Sequence, residues 1–240
     1  MTGKHDQIAG SLIEDILSGH YRVAERLPSE RDLAARFDAN RGAVREAMKK
    51  LEQIGVIEVQ PGGARVKEQS EASLDVLTHM LAQGPLPDAK LVDQILGVVD
   101  NLIADAAEWC VDLASDEEIE QIRHRIAPLK DTELDQETRT LARIELLQSI
   151  MLTSKNLPLR LITRTLLTQV VPSLRAVHPY VNFDKSTYCE QSEQLDAAFA
   201  NRDKVALRTV FETFSNLNRE SMMRAFAAAH DDISQEAVAK

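Results

Sequence analysis

The sequence is poor in cysteine and aromatic residues and has no long apolar run. Its two cysteines, Cys110 and Cys189, are too few for a disulfide scaffold or a cysteine-rich zinc site. Aromatic residues make up 4% of the chain, which disfavours a single-strand binder that stacks bases on rings. No stretch reaches the ~18 uninterrupted apolar residues of a membrane helix, and residues 1–10 contain no apolar signal segment. We therefore expect a soluble, cytoplasmic protein with no membrane partner.

Charge is unevenly distributed along the 240 residues. The formal net charge of −10 at first argues against a nucleic-acid partner. Residues 1–67, however, carry eleven Lys and Arg against ten Asp and Glu, whereas residues 68–240 carry seventeen against twenty-eight. The acidic excess is confined to the second part. Together with the length, this asymmetry favours two domains with different roles.

Residues 1–68 are predicted to form three helices and a hairpin. An apolar stripe at helical spacing over residues 8–17 predicts the first helix. Ser29 and Asn40 are suitable N-cap residues for the second and third helices. After Gly55 the pattern becomes extended, with two short β-branched segments around a Pro-Gly-Gly turn. This order is typical of a winged helix-turn-helix.

Residues 69–232 are predicted to form an all-helical domain, and residues 233–240 a polar tail. Six or seven segments of about 12–25 residues have helical patterns and short connections, which predicts an antiparallel bundle. One of these helices is predicted from Leu159 to about His178, with a kink at Pro172. The last is predicted over 204–229. The fold class is therefore mainly α, a winged helix-turn-helix followed by an antiparallel helical bundle.

The exposed face of the predicted third helix is cationic. Arg41, Arg45 and Lys49 recur every four residues opposite the apolar face, and Gly42 leaves the first turn slim. Helix N-termini favour anions, and arginine can bind guanine through two hydrogen bonds or clamp phosphates. Gly62 at the hairpin tip is small enough to enter a minor groove. The alternative is an ordinary solvated helix face.

Three segments carry a specific resemblance: LPSERDLAARF at 27–37, NRGAVREA at 40–47 and LEQIGVI at 51–57. They resemble the DNA-binding head of the GntR family of bacterial transcription regulators. The helical remainder, with the triplet Ser154-Lys155-Asn156, is similar to the FadR-type effector domain, also called the FCD domain. The resemblance implies a homodimer that binds a palindromic double-stranded operator through the major groove. The residues predicted to contact DNA are Arg31, Asn40, Arg41, Gly42, Ala43, Arg45, Lys49 and Gly62.

Many FadR-type domains hold a divalent metal with one Asp and three His. The matching positions here are Arg143, Leu147, Ser192 and Phe214, which lack that ligand chemistry, so we predict no metal and no cofactor. In this respect the chain resembles the acyl-CoA-responsive branch of the family. Asp100 stands where family members often have an arginine, which disfavours a small carboxylate effector.

Several polar residues are predicted to face the interior of the bundle. Buried polar groups need partners, so these residues either pair with one another and with water, or line an effector pocket. The candidate ligand-binding residues are Asp100, Arg143, Arg164, Tyr188, Ser192 and Asn218. Arg143 and Arg164 are candidate partners for Asp100 when the pocket is empty.

The resulting hypothesis is a homodimeric transcriptional repressor whose operator affinity responds to a small-molecule effector, an acyl-CoA or another metabolite. An alternative is a constitutive or partner-controlled regulator with a decayed pocket. An enzyme is disfavoured, because the sequence has no nucleophile elbow, P-loop or GxGxxG motif.

Overall fold

A computed structural model describes residues 3–238, which form two compact units. The first unit ends at Asp88 and the second begins at Ala89. The first two residues of the predicted N-terminal domain and the last two of the predicted tail lie outside the described residues.

The first unit contains three helices, a two-stranded antiparallel sheet and a fourth short helix. Ser29 Oγ accepts a hydrogen bond from the Asp32 amide at 3.3 Å, and Asn40 Oδ1 accepts one from the Ala43 amide at 2.8 Å. Both predicted N-caps are therefore confirmed. In the sheet, Ile57 lies opposite Val66. The elements are α1 (Lys4–Leu17), α2 (Glu30–Arg36), α3 (Arg41–Gln53), β1 (Ile57–Gln60), β2 (Gly63–Val66) and α4 (Val76–Leu81).

One apolar core joins the elements of the first unit. Leu12, Leu33 and Leu51 are fully buried within it, one from each of α1, α2 and α3. Val76 at the start of α4 belongs to the same core. The boundary predicted at residue 68 falls inside this unit, and the functional extent of the two domains stays a prediction.

In its described residues, 89–238, the second unit contains six α-helices, with short 3₁₀ helices in the connections before α7 and after α8. Arg219 pairs with Asp93 and Lys204 with Asp112, so α5 and α10 run antiparallel. Helix α5 also packs against α7 and α8, and α6 packs against α7 and α9. The elements are α5 (Ala89–Leu113), α6 (Asp116–Ile126), α7 (Gln136–Thr153), α8 (Leu157–Ser173), α9 (Lys185–Ala200) and α10 (Lys204–Val238). The predicted fold class is confirmed.

Two predicted helix ends are wrong. Helix α8 ends at Ser173 instead of continuing to His178, because Pro172 has no amide hydrogen and its ring obstructs the preceding turn. Helix α10 continues to Val238 instead of ending at Ala229. The hydroxyl of Tyr180 donates a hydrogen bond to Asp232, which holds this part of α10 although its composition is polar. Every helix of residues 3–238 is too short or too polar to span a lipid bilayer.

Candidate nucleic-acid interface

Helix α3 has one buried face and one exposed face. Val44, Ala47 and Leu51 are completely buried in the core of the first unit. Arg41, Arg45 and Lys49 are all exposed on the other side of the helix. The core contacts thus fix the helix in an orientation that presents its three predicted DNA-contacting cations to solvent.

The amino end of α3 is open to an approaching group. Asn40 caps the helix, and both Asn40 and Gly42 are exposed while Ala43 is half-buried. A Cβ at position 42 would lie 3.1 Å from Asn40 Oδ1 and would crowd the cap. Small residues here keep the cap intact and let an anion approach the free amides of the first turn.

Three of the four predicted DNA-contacting cations have a carboxylate neighbour. Arg45 pairs with Glu30 of α2, Lys49 Nζ lies 2.8 Å from Glu46, and Arg31 Nε lies 3.5 Å from Asp32. Among residues 3–238, no carboxylate lies within ion-pairing distance of the fourth cation, Arg41. Exposed single-contact ion pairs contribute little to stability, so Lys49 and Arg31 can exchange partners with phosphates at low cost.

The acidic partners keep their negative charge. The hydrogen bond from Arg45 lowers the pKa of Glu30, and the hydrogen bond from Lys49 lowers the pKa of Glu46. The exposed face of α3 therefore carries charges of both signs. Its net attraction for DNA is weaker than a count of its cations suggests.

The wing formed by β1 and β2 adds two basic residues that the sequence analysis missed. Gly62 at the tip is exposed, with no heavy atom within 4 Å of where its Cβ would lie. Arg26 pairs with Arg65 of β2 through a β-bridge, and a Cβ at Gly63 would lie 2.5 Å from Arg26 Nε. Arg65 donates to the Ala24 carbonyl at 2.8 Å. The alternation in Ala-Arg-Val at 64–66 was the available signal, since it turns Arg65 outward.

The second unit contains a small cavity of about 30 Å³, which is room for about one water molecule. Four of the predicted ligand-binding residues line it together: Asp100, Arg143, Tyr188 and Asn218. The apolar remainder of its wall comes mainly from α7, α9 and α10. These apolar residues are Ile103, Leu129, Leu146, Leu147, Leu195, Phe211 and Phe214.

The polar groups of the cavity are paired, but not in the predicted way. Ser215 Oγ donates to Asp100 Oδ2 at 2.7 Å, and Arg143 Nη1 donates to Asn218 Oδ1 at 3.2 Å. In this structure the hydrogen-bond partners of Asp100 and Arg143 are instead neutral residues of α10. Burial raises the pKa of Asp100, while the Ser215 hydrogen bond acts in the opposite direction.

The other two predicted ligand-binding residues lie outside the cavity lining. Ser192 is completely buried and donates to the Tyr188 carbonyl at 2.9 Å. The prediction that Arg164 faces the interior is wrong, since it is exposed on α8. Helix α8 buries Thr163 and Leu166 on the opposite side, which turns residue 164 towards solvent.

Most of the positions that match metal ligands in FadR-type domains meet at the cavity, but their side chains are not metal ligands. Arg143, Leu147 and Phe214 line the same cavity. Among residues 3–238, no group of three or more His, Cys, Asp or Glu side chains is placed to hold a metal ion. Both cysteines are buried, and burial raises the pKa of the Cys110 thiol to about 12, which suits a packing role.

Sequence comparison finds a family match within the amino-terminal unit. Residues 4–66 match the profile of a family described as bacterial regulatory proteins, gntR family. The HTH-type transcriptional regulator Mce2R of Mycobacterium tuberculosis is 34% identical over 93 residues, which is 38% of this chain and 39% of that protein. The Uxu operon transcriptional regulator of Escherichia coli is 32% identical over 135 residues, 53% of this chain and 49% of that protein. The matches thus span half or less of these relatives.

A solved structure shares the fold over most of the length. Lar, described as controlling the expression of the Listeria monocytogenes agr system and mediating virulence, covers 95% of this chain, and the match spans 98% of Lar. Its TM-score is 0.55 at 16% identity, so the likeness concerns the fold alone. The winged helix-turn-helix at residues 4–66 therefore matches the gntR family of bacterial regulatory proteins, and the match covers only this part of the chain.

Proposed function

We propose that this chain is a sequence-specific DNA-binding transcriptional repressor that acts as a homodimer in the cytoplasm. The observation that carries the proposal is α3, whose buried face fixes Arg41, Arg45 and Lys49 on an exposed cationic face. Its first turn would approach base edges in the major groove while Gly62 of the wing enters the minor groove. The cations of α3 would contact bases and phosphates.

Operator binding by a double variant tests the DNA interface. The operator is first obtained by selection from a random-sequence duplex library. Changing Arg41 and Arg45 to Ala is expected to abolish sequence preference while leaving helix content unchanged. The matched control is Arg224→Ala, which removes an exposed cation from α10. Retained sequence-specific binding by the double variant would reject this interface.

A second copy of the chain is the proposed partner of an apolar surface on the second unit. We define the α5–α8 apolar face as Trp109, Leu113, Leu157 and Leu161, whose exposed fractions lie between 46% and 54%. Lys155 donates to the Leu113 carbonyl, so the start of α8 lies beside the end of α5. Exposed apolar clusters of this kind are typical of protein interfaces. The two-fold symmetry of a homodimer would match a palindromic operator.

Oligomeric state tests that assignment. Leu161→Glu puts a charge on the face and is expected to give monomers by light scattering at micromolar concentration. Leu141→Glu, on an exposed position of α7 outside the face, is expected to leave the dimer intact. A dimeric L161E variant would contradict the assignment.

A small-molecule effector is proposed to bind at the cavity lined by Asp100, Arg143, Tyr188 and Asn218, as in a FadR-type regulator. The cavity of about 30 Å³ is too small for a metabolite, so an effector would have to open the bundle. It can change operator affinity only by its differential affinity for the open and closed arrangements. The same small volume favours a second candidate, a constitutive or partner-controlled regulator without an effector.

Thermal unfolding with acyl-CoAs, sugars and organic acids separates the two candidates. An effector that binds the folded state raises the melting temperature in a concentration-dependent way. Arg143→Ala is expected to remove that shift. If no compound raises the melting temperature, the constitutive candidate is favoured. We assign the chain no catalytic role.

A further inference from the structure

The contact between Glu30 and Arg45 differs from those of the other candidate DNA-contacting cations. Arg45 Nε donates to Glu30 Oε1 at 3.2 Å, and Arg45 Nη2 donates to Glu30 Oε2 at 3.0 Å. The carboxylate belongs to another helix and holds the guanidinium by two parallel hydrogen bonds. Lys49 forms a single contact within its own helix, and Arg31 has only a 3.5 Å contact with its sequence neighbour. Among the four candidate DNA-contacting cations, Arg45 alone has a bidentate contact that fixes the plane of its guanidinium.

Both ends of this contact are on rigid elements. Glu30 is the first residue of α2, directly after the Ser29 cap, and Leu33 one turn later is completely buried. Arg45 follows Val44, which is completely buried on α3. The side chains therefore meet at a position set by the core. A bidentate arginine–carboxylate contact of this kind is the exception among exposed ion pairs, most of which are loosely held.

The free hydrogens of Arg45 indicate what it can bind. A guanidinium has five N–H groups. Glu30 uses the edge formed by Nε and one hydrogen of Nη2, which leaves both hydrogens of Nη1 and the second hydrogen of Nη2. One hydrogen of Nη1 and the second hydrogen of Nη2 form the outer edge, where the two nitrogens donate in parallel. Two parallel donors match guanine O6 and N7, and this pairing is the commonest specific contact in the major groove.

We propose that Glu30 is a positioning residue that holds Arg45 with its outer edge directed at a guanine in each half-site. This inference rests on the proposed DNA binding and deepens it by naming the base. With the guanidinium plane fixed before binding, less side-chain freedom is lost on contact. A free arginine could instead turn to the nearest phosphate, which carries no sequence information. By holding Arg45 in this orientation, Glu30 favours its contact with a base over a contact with a phosphate.

The experiment is selection from a random-sequence duplex library with the full-length chain, followed by affinity measurements on the selected site and its single-base variants. The wild type is expected to require one guanine per half-site, and Arg45→Ala identifies it as the position where preference is lost. Glu30→Gln, which has no negative charge, is expected to reduce discrimination at that guanine roughly 10-fold. Its affinity for unrelated duplex DNA should be unchanged or higher, which also demonstrates that it is folded. Arg45→Lys should lose the guanine preference although it keeps the charge.

A neighbouring carboxylate provides the matched control. Glu46→Gln removes an exposed negative charge from α3 itself, and its partner is a lysine. It is expected to change overall affinity without changing the preference at the guanine. If E30Q discriminates at that base pair as well as the wild type does, the positioning role is overturned while DNA binding stands. If the wild type enriches no sequence at all, both the proposed function and this inference fall.

Discussion

Asp100 is the buried carboxylic acid of the cavity, and its environment predicts an unusual pH dependence. Burial raises its pKa, so the folded state takes up a proton more readily than the unfolded state does. Ionisation of Asp100 therefore lowers the free energy of unfolding as the pH rises through the raised pKa of the folded state. Below the ordinary value of 3.8 this penalty is absent.

The change Asp100→Asn removes the penalty and keeps an acceptor for Ser215. The variant's gain in free energy of unfolding is expected to grow with pH to about 1 kcal/mol near neutrality. Urea unfolding followed by fluorescence of Trp109, the single tryptophan, measures it. Asp93→Asn is the control of opposite sign, because Arg219 lowers the pKa of Asp93 and its contribution is lost as the pH falls. A gain for D100N that is independent of pH would contradict the argument.

Substitution by alanine is expected to have opposite effects on stability at two of the glycines. Gly55 has φ of +80°, and a Cβ there would lie 3.0 Å from the Glu71 carbonyl oxygen. Gly55→Ala is therefore expected to lower stability by about 2 kcal/mol. Gly10 lies within α1 with open space around its Cβ position, and Gly10→Ala is expected to raise stability by about 0.5–1 kcal/mol. Thermal unfolding measures both, and equal effects would contradict the conformational explanation.

Individual residues differ in how far the sequence predicts their roles. Ser29 and Asn40 were predictable as caps because a cap bonds to an amide three residues away, which is a local property. The contact of Glu30 with Arg45 spans fifteen positions and depends on the crossing of two helices. The spacing of residues along α3 predicts that Arg45 is exposed. It gives no information on where α2 lies relative to α3.

At the scale of an element, α3 depends on Asn40 for its first turn, and the same side chain is predicted to contact DNA. Asn40→Asp keeps the cap and adds a negative charge at the positive end of the helix, so stability is expected to be unchanged or slightly higher. If residue 40 contacts phosphates as proposed, the added charge would repel them, and DNA affinity should fall roughly 10-fold.

Asn40→Ala separates the two roles of this residue. It removes the cap and is expected to cost about 1 kcal/mol of stability. Circular dichroism melting and DNA titration of both variants provide the comparison. If N40D binds DNA as tightly as the wild type, Asn40 has no role beyond capping.

Helix ends were less predictable than helix interiors. Apolar periodicity identified α10, but its final turns have few apolar residues and depend on the hydrogen bond from Tyr180 to Asp232. That contact joins segments 52 positions apart, so no local pattern indicates it. For α8, Pro172 was recognised, yet a proline can kink or end a helix.

At the scale of the whole molecule, the motifs at 27–57 were sufficient to identify the winged helix-turn-helix, and apolar periodicity predicted the helical remainder. They did not predict the cavity volume of about 30 Å³, because that volume depends on how closely Phe211, Phe214 and Leu195 pack. The sequence can indicate which polar residues meet inside the bundle. It does not give the volume left between them, which depends on the detailed packing of the side chains.

The distribution of charge across the molecule makes a final prediction about DNA affinity. The chain has a net charge of −10, and its acidic excess lies outside residues 1–67, so attraction for DNA has to come from a few exposed cations. Each phosphate that a cation neutralises releases counterions and steepens the fall of affinity with salt. If Lys49 contacts one phosphate per protomer, Lys49→Ala should reduce the slope of log affinity against log salt by about 2 for a dimer. The loss should be equal on operator and unrelated duplex DNA, since phosphates carry no sequence information. Lys185→Ala, an exposed cation of α9, should leave the slope unchanged. An unchanged slope for K49A would place Lys49 outside the interface and shorten the cationic face to the first two turns of α3.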